Sequence, residues 1–148
     1  MLAHVGTSHA ELVHYKAVLK PASEVPSVKA SGSGVVNATY NTTTRRLTWE
    51  GSYSGLSGPA NAAHIHGPAG RSGNAGPLFW ISDNVGQCDK GGCRFKPRMK
   101  APLHSPFEGS AELTDDEAGQ LADGRLYVNI HTDAHPAGEL RGQLLRAQ

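Results

Sequence analysis

The 148 residues predict an all-β domain, an antiparallel Greek-key-like sandwich or barrel of about eight strands with one short helix. Three observations carry that expectation. Short runs alternate apolar and polar residues with the period of two that a half-buried strand requires. Gly, Pro, Asn and Ser interrupt those runs at intervals suited to tight turns. Only one segment carries helix-capping chemistry.

The strands are read in order. HYKAVLK (14–20), GVVNATYN (34–41) and RLTWEGSYS (46–54) alternate, and in the third Leu47, Trp49 and Tyr53 share a face opposite Thr48, Glu50 and Ser52. The polar connection NTTTR between the second and third is short enough for a hairpin, so these two are expected to be antiparallel neighbours. ANAAHIH (60–66), PLFWIS (77–82), FEGSAEL (107–113), RLYVNIH (125–131) and GELRGQLLR (138–146) complete the set. Trp49 and Trp80, both in strand settings, are expected to anchor the core. In LTDDEAGQLADG, Thr114 followed three residues later by Glu117 is a capping-box pattern, and Gly124 is placed to end the helix. Residues 1–13 are expected to be a frayed or tag-like N-terminus ahead of a single domain over 14–148. Residues 83–106 form a long irregular excursion, of the kind that serves as a functional lid or a surface loop.

Composition excludes several classes of partner. At 38% hydrophobic, 18% charged and a formal net charge of +1, the chain has no basic cluster interleaved with aromatics, so neither nucleic acid nor membrane insertion is expected. No apolar run approaches the roughly 20 residues of a membrane helix. The opening MLAHVGTSHA lacks the charged and apolar segments of a secretory signal, which does not argue for the cytosol, because a junction left where a leader was replaced would read the same way. Cys88 and Cys93 bracket the turn-forming DKGG, a loop that a disulfide would staple in an oxidising compartment; a thiolate pair on zinc and two reduced thiols are the competing readings.

The histidines carry the chemistry. In AAHIHGP (62–68), strand alternation sends His64 and His66 to one side, and in LYVNIHT the residues Tyr127, Asn129 and His131 share one face. If the two strands adjoin, His64, His66 and His131 can bind a metal at about 2.0 Å per nitrogen. His135, four residues after His131 in HTDAHPAGE, is the first choice for a fourth ligand and His104 the second. The alternative is a solvated polar sheet face. His4, His9 and His14 are read as incidental.

EVPSV (24–28), LTWEGSYSGL (47–56), AAHIHGPAG (62–70) and LYVNIHTDAHPAGELRGQL (126–144) together resemble the CHRD domain, the repeat first recognised in chordin and widespread as single bacterial domains. The resemblance spans about residues 14–146 and implies an all-β, often secreted domain, here periplasmic or extracellular. HIHGPAG is also similar to the copper-binding His-x-His strand of Cu,Zn superoxide dismutases. That local likeness implies His64 and His66 as copper ligands, His131 as the late-strand histidine, and Arg141 as the catalytic cation beside an open metal position. No carboxylate-and-histidine cluster follows HIHGPAG to hold zinc, so the resemblance implies one mononuclear copper site.

Neutral imidazoles suit both copper oxidation states, and a positive Arg141 would draw a small anion such as superoxide inward. Glu139 is placed either to orient Arg141 or a ligating histidine, or to form an ordinary cross-strand ion pair. The expected function is that of a secreted copper-only superoxide dismutase. The alternative is a non-catalytic extracellular CHRD module for protein binding or for copper storage and delivery. GxSxG, Walker-type and HExxH motifs are all missing, which leaves hydrolase, nucleotide and protease readings without support.

Overall fold

The computed structural model describes residues 9–83, 92–97 and 101–148. Among them nine strands form two antiparallel sheets in a sandwich, not a closed barrel. β1 (Leu12–Leu19), β2 (Ser33–Asn41), β3 (Arg46–Ser54), β6 (Phe107–Glu112) and β9 (Leu145–Arg146) make a five-stranded sheet ordered β6-β3-β2-β1-β9. β4 (Ala62–His66), β5 (Pro77–Trp80), β7 (Tyr127–His131) and β8 (Leu140–Gln143) make a four-stranded sheet ordered β5-β4-β7-β8. Alternation decides which side of each strand is buried. Val13, Tyr15, Ala17 and Leu19 of β1 face inward with Leu47 and Trp49 of β3, and meet Ala63, Ile65, Val128, Ile130 and Leu140 from the opposite sheet in one core. The expected β2–β3 hairpin forms, with Asn41 opposite Arg46.

Two boundaries differ from expectation. The first strand starts at Leu12, because Glu11 and Thr42 exchange hydrogen bonds and extend the β1–β2 ladder; residues 1–8 lie outside the described ones. The final run, expected as one strand over 138–146, is two. β8 pairs with β7 in one sheet and β9 with β1 in the other, and the buried Leu144 between them donates its amide to Leu126 O. Eight expected strands thereby become nine.

The single helix, α1 (Asp115–Ala122), has the full capping box: Thr114 Oγ1 accepts from Glu117 N, and the Glu117 carboxylate accepts from Thr114 N. Gly124 ends it at φ 69°. Arg94 of the excursion binds both Glu117 oxygens, at 2.8 and 3.0 Å. The excursion also hydrogen-bonds to the edge of β5, with Trp80 N donating to Cys93 O and Phe95 N to Leu78 O. Among the described residues no cysteine is free; the expected partner of Cys93, Cys88, lies outside them.

At Gly142 the two sheets approach closely. Lys20 and Arg141 exchange backbone hydrogen bonds at 3.0 and 3.2 Å, and a Cβ on Gly142 would collide with the Val18 carbonyl. The backbone there has nowhere to retreat. Gly142→Ala is expected to cost about 1–3 kcal/mol, read by urea denaturation. Gly58→Ala, where nothing lies within 4 Å, is expected to stay within about 0.5 kcal/mol of the parent.

Candidate metal centre

The register of β4 with β7 sets Ala62 opposite His131, His64 opposite Asn129 and His66 opposite Tyr127. Residues on these alternate positions leave the core and point to the outer face of the four-stranded sheet. There His64, His66 and His131 converge, each offering a ring nitrogen within 4.8 Å of the others. His64 Nδ1 lies 3.1 Å from His131 Nε2. With metal–nitrogen bonds of about 2.0 Å, that separation subtends roughly 100° at an ion, close to tetrahedral.

Two of the rings are fixed by backbone carbonyls. His66 Nδ1 donates to Ala75 O at 2.8 Å and His131 Nδ1 to Pro136 O at 2.9 Å. A carbonyl can only accept, so Nδ1 carries the proton on both rings and Nε2 keeps its lone pair. Nε2 of His66 is buried without a hydrogen-bond partner, which is the condition a bound ion would relieve; Nε2 of His64 is likewise unpartnered, although the His64 nitrogen that faces His131 is Nδ1. Burial pushes the His64 imidazole down to about 3, helped by the neighbouring His131 and His66, and burial likewise pushes His66 down to about 4. His131 is lowered for the same reason. At neutral pH all three are therefore uncharged and able to ligate. The residues present fit a metal ion.

The outer face is not the solvated surface that strand alternation alone would give. Trp80, expected in the core, is buried in a second, smaller cluster with Cys93 and Ala101, from which it packs on His64 at 4.2 Å between ring centroids, and Phe95 of the excursion stands at 5.5 Å from His64. Trp49 is a core residue, as expected. Tyr127 stacks on His66 at 4.9 Å with the ring planes 11° apart, and its hydroxyl bridges to the backbone of Ala75. The loop after HIHGP thus holds one ligand and the residue that backs it.

His135 does not join the three. The HTDAHPAG turn does fold back toward His131, but it presents the Pro136 carbonyl, while His135 Nε2 lies 3.9 Å from Glu139 Oε1. His104, largely exposed, pairs with Asp83. Arg141 is only 1% exposed and stands behind the ligands instead of beside an open position. Its guanidinium donates to Asn74 Oδ1, Gly70 O and Gln143 Oε1, and its Cζ lies 3.7 Å from the centroid of Tyr127, which separates it from His66. Glu139 orients neither Arg141 nor a ligand: fully buried, it accepts from Ser57 N, Ser57 Oγ and Thr132 Oγ1. Burial tends to raise its pKa, but those donors hold it below the usual carboxylate range.

Sequence reasoning missed Glu24. This buried carboxyl accepts from Asn129 Nδ2 at 2.6 Å, and burial pushes its pKa up to about 7 against the opposing pull of Asn129 and Arg141. Its backbone neighbour is Gly138, at φ 129°, where a Cβ would strike both Asn129 and Glu24. A lone acidic residue in the EVPSV stretch was the only signal.

The depressed histidines make metal-free stability pH-dependent with a definite sign. The unfolded chain takes up protons as pH falls below about 6.5, whereas folded His64 and His66 resist until about 3 and about 4, so stability falls as pH drops from about 6.5 toward 4. Each histidine contributes a slope of up to about 1.4 kcal/mol per pH unit in that window. Urea midpoints of the metal-free protein at pH 7, 6 and 5 should decline, and His64→Leu should make the decline shallower.

Comparison with known proteins adds one finding. No curated protein and no solved structure matches the chain. The sequence profile of the CHRD domain, however, matches residues 15–144, which take in the whole four-stranded sheet, most of the five-stranded one and all three clustered histidines. The chain belongs to the CHRD domain family.

Proposed function

We propose that this domain binds one copper ion through His64, His66 and His131 and dismutates superoxide outside the cytoplasm. The observation that carries the reading is the set of three neutral, converging imidazoles, two of them with buried Nε2 atoms that no protein group satisfies. Three nitrogens without a carboxylate or thiolate suit copper, which also stands highest among the divalent ions in affinity for such donors. When bound, the ion would supply reversible one-electron exchange, for an overall conversion of two superoxide ions and two protons into oxygen and hydrogen peroxide.

The chain's own residues would do the rest. Ala75 O and Pro136 O fix the tautomer and aim of His66 and His131, so little reorganisation accompanies a change of charge at the centre. Trp80, Phe95 and Tyr127 wall the rings and limit water. No helix among the described residues is long and apolar enough to cross a membrane. A paired Cys88 and Cys93 would suit a periplasmic or extracellular setting.

One observation favours a second reading, copper storage or delivery. Arg141 is withdrawn behind Tyr127, so it does not stand at the open side of the cluster to meet an anion. Copper loading followed by metal analysis and a superoxide-removal assay separates the two. The dismutase reading expects about one copper per chain, catalytic removal of superoxide, and loss of both in His131→Ala. One copper without activity would leave storage or delivery, and substoichiometric copper with an intact fold in His64→Ala would leave a binding module.

A further inference from the structure

We infer that the stack of Arg141, Tyr127 and His66 biases the three-histidine centre toward a monovalent ion, favouring cuprous over divalent metal. This rests on the copper reading above and goes beyond it, since it assigns the centre a charge preference and gives Arg141 a role other than touching substrate. Arg141 is a positioning residue that acts through the electric field.

The geometry is specific. The guanidinium lies 3.7 Å from the Tyr127 ring centroid, and that ring lies 4.9 Å from His66, so the cation sits within roughly 9 Å of a ligating ring with no water-filled gap between. It is 1% exposed, so solvent screens it little. All three of its hydrogen-bond acceptors are neutral amide or carbonyl oxygens, from Asn74, Gly70 and Gln143. Among the described residues it forms no ion pair. The carboxyl that acts on it is Glu24, which burial holds near half-ionised at neutral pH.

The ligand set offers nothing to offset that charge. Three uncharged imidazoles bring no negative donor to the ion, so the field of Arg141 meets the full metal charge. A divalent ion suffers that repulsion twice over relative to a monovalent one. Two unit charges about 10 Å apart at an effective dielectric of about 20 change the relative affinity by about tenfold. For the one-electron couple Cu(II) + e⁻ → Cu(I), a tenfold change is about 59 mV, in the direction of a higher potential.

Two substitutions of opposite sign test the bias. Arg141→Met removes the cation, and Glu24→Gln removes the partial counter-charge while keeping an oxygen to accept from Asn129. The measurements, at pH 8 where Glu24 is largely ionised, are the Cu(II)/Cu(I) potential by mediated redox titration and the ratio of Cu(I) to Zn(II) affinity by chelator competition. Arg141→Met should lower the potential and shift the affinity ratio about tenfold toward zinc; Glu24→Gln should raise the potential and shift the ratio the other way. Should Arg141→Met fail to fold, Glu24→Gln alone decides the sign. A potential and ratio unchanged in the folded variants, or moved in the same direction by both, would overturn the inference while leaving copper binding intact. Failure of the parent protein to bind copper would overturn both this inference and the proposed function.

Discussion

The pairing of β4 with β7 is the constraint on which the site depends. Because the side-chain period of a strand is two, a register that sets His64 against Asn129 and Ala62 against His131 places three imidazoles on one face and four apolar side chains on the other. A slip of one residue would turn the histidines into the core and Ile65, Val128 and Ile130 outward. The hydrophobic demand of the interior therefore specifies the geometry of the polar cluster, and no separate device is needed to assemble it. Core and centre are two faces of one ladder.

A second condition follows from burial. Polar groups removed from water need partners, and here the partners are supplied by loops lying over the outer face. Ala75 O, Pro136 O, Gly70 O and Asn74 come from turns that follow β4 or β7, and each meets a side chain from the sheet. The imidazoles differ from the rest of this network in that two of their nitrogens are left unmet. Arg141 differs in the opposite way, being well supplied with neutral acceptors yet only partly compensated in charge, by Glu24. These two imbalances, a deficit of donors to nitrogen lone pairs and an excess of positive charge, lie on either side of one tyrosine ring.

Local pattern made much of this legible. Alternation identified the strands and the shared face of His64 and His66, and again of Tyr127, Asn129 and His131; Thr114 with Glu117 marked the helix start. What escaped was long-range. Which atom of the HTDAHPAG turn faces His131 depends on the turn's path, and the backbone of Pro136 takes the place that the imidazole of His135 was expected to fill. Arg141 was placed beside the metal by resemblance alone; it pairs with Asn129 on the outer face, but the loop carrying Gly70 and Asn74 encloses it, and no spacing reveals which loop covers which face. Glu24 meets Asn129 across 105 positions of sequence, far beyond any periodic signal. The continuous GELRGQLLR run hid a change of sheet at Leu144 for the same reason.

That change of sheet bears on how the chain becomes native. Residues 140–146 border both layers, so the five-stranded sheet lacks an edge and β7, paired with β4 on one side, lacks its neighbour on the other until this segment docks. Earlier portions of the chain can collapse only into something incomplete, with the histidine-bearing β7 exposed along one side. Closure of the sandwich along that side therefore waits for residues 140–146, which follow both histidine-bearing strands in the chain.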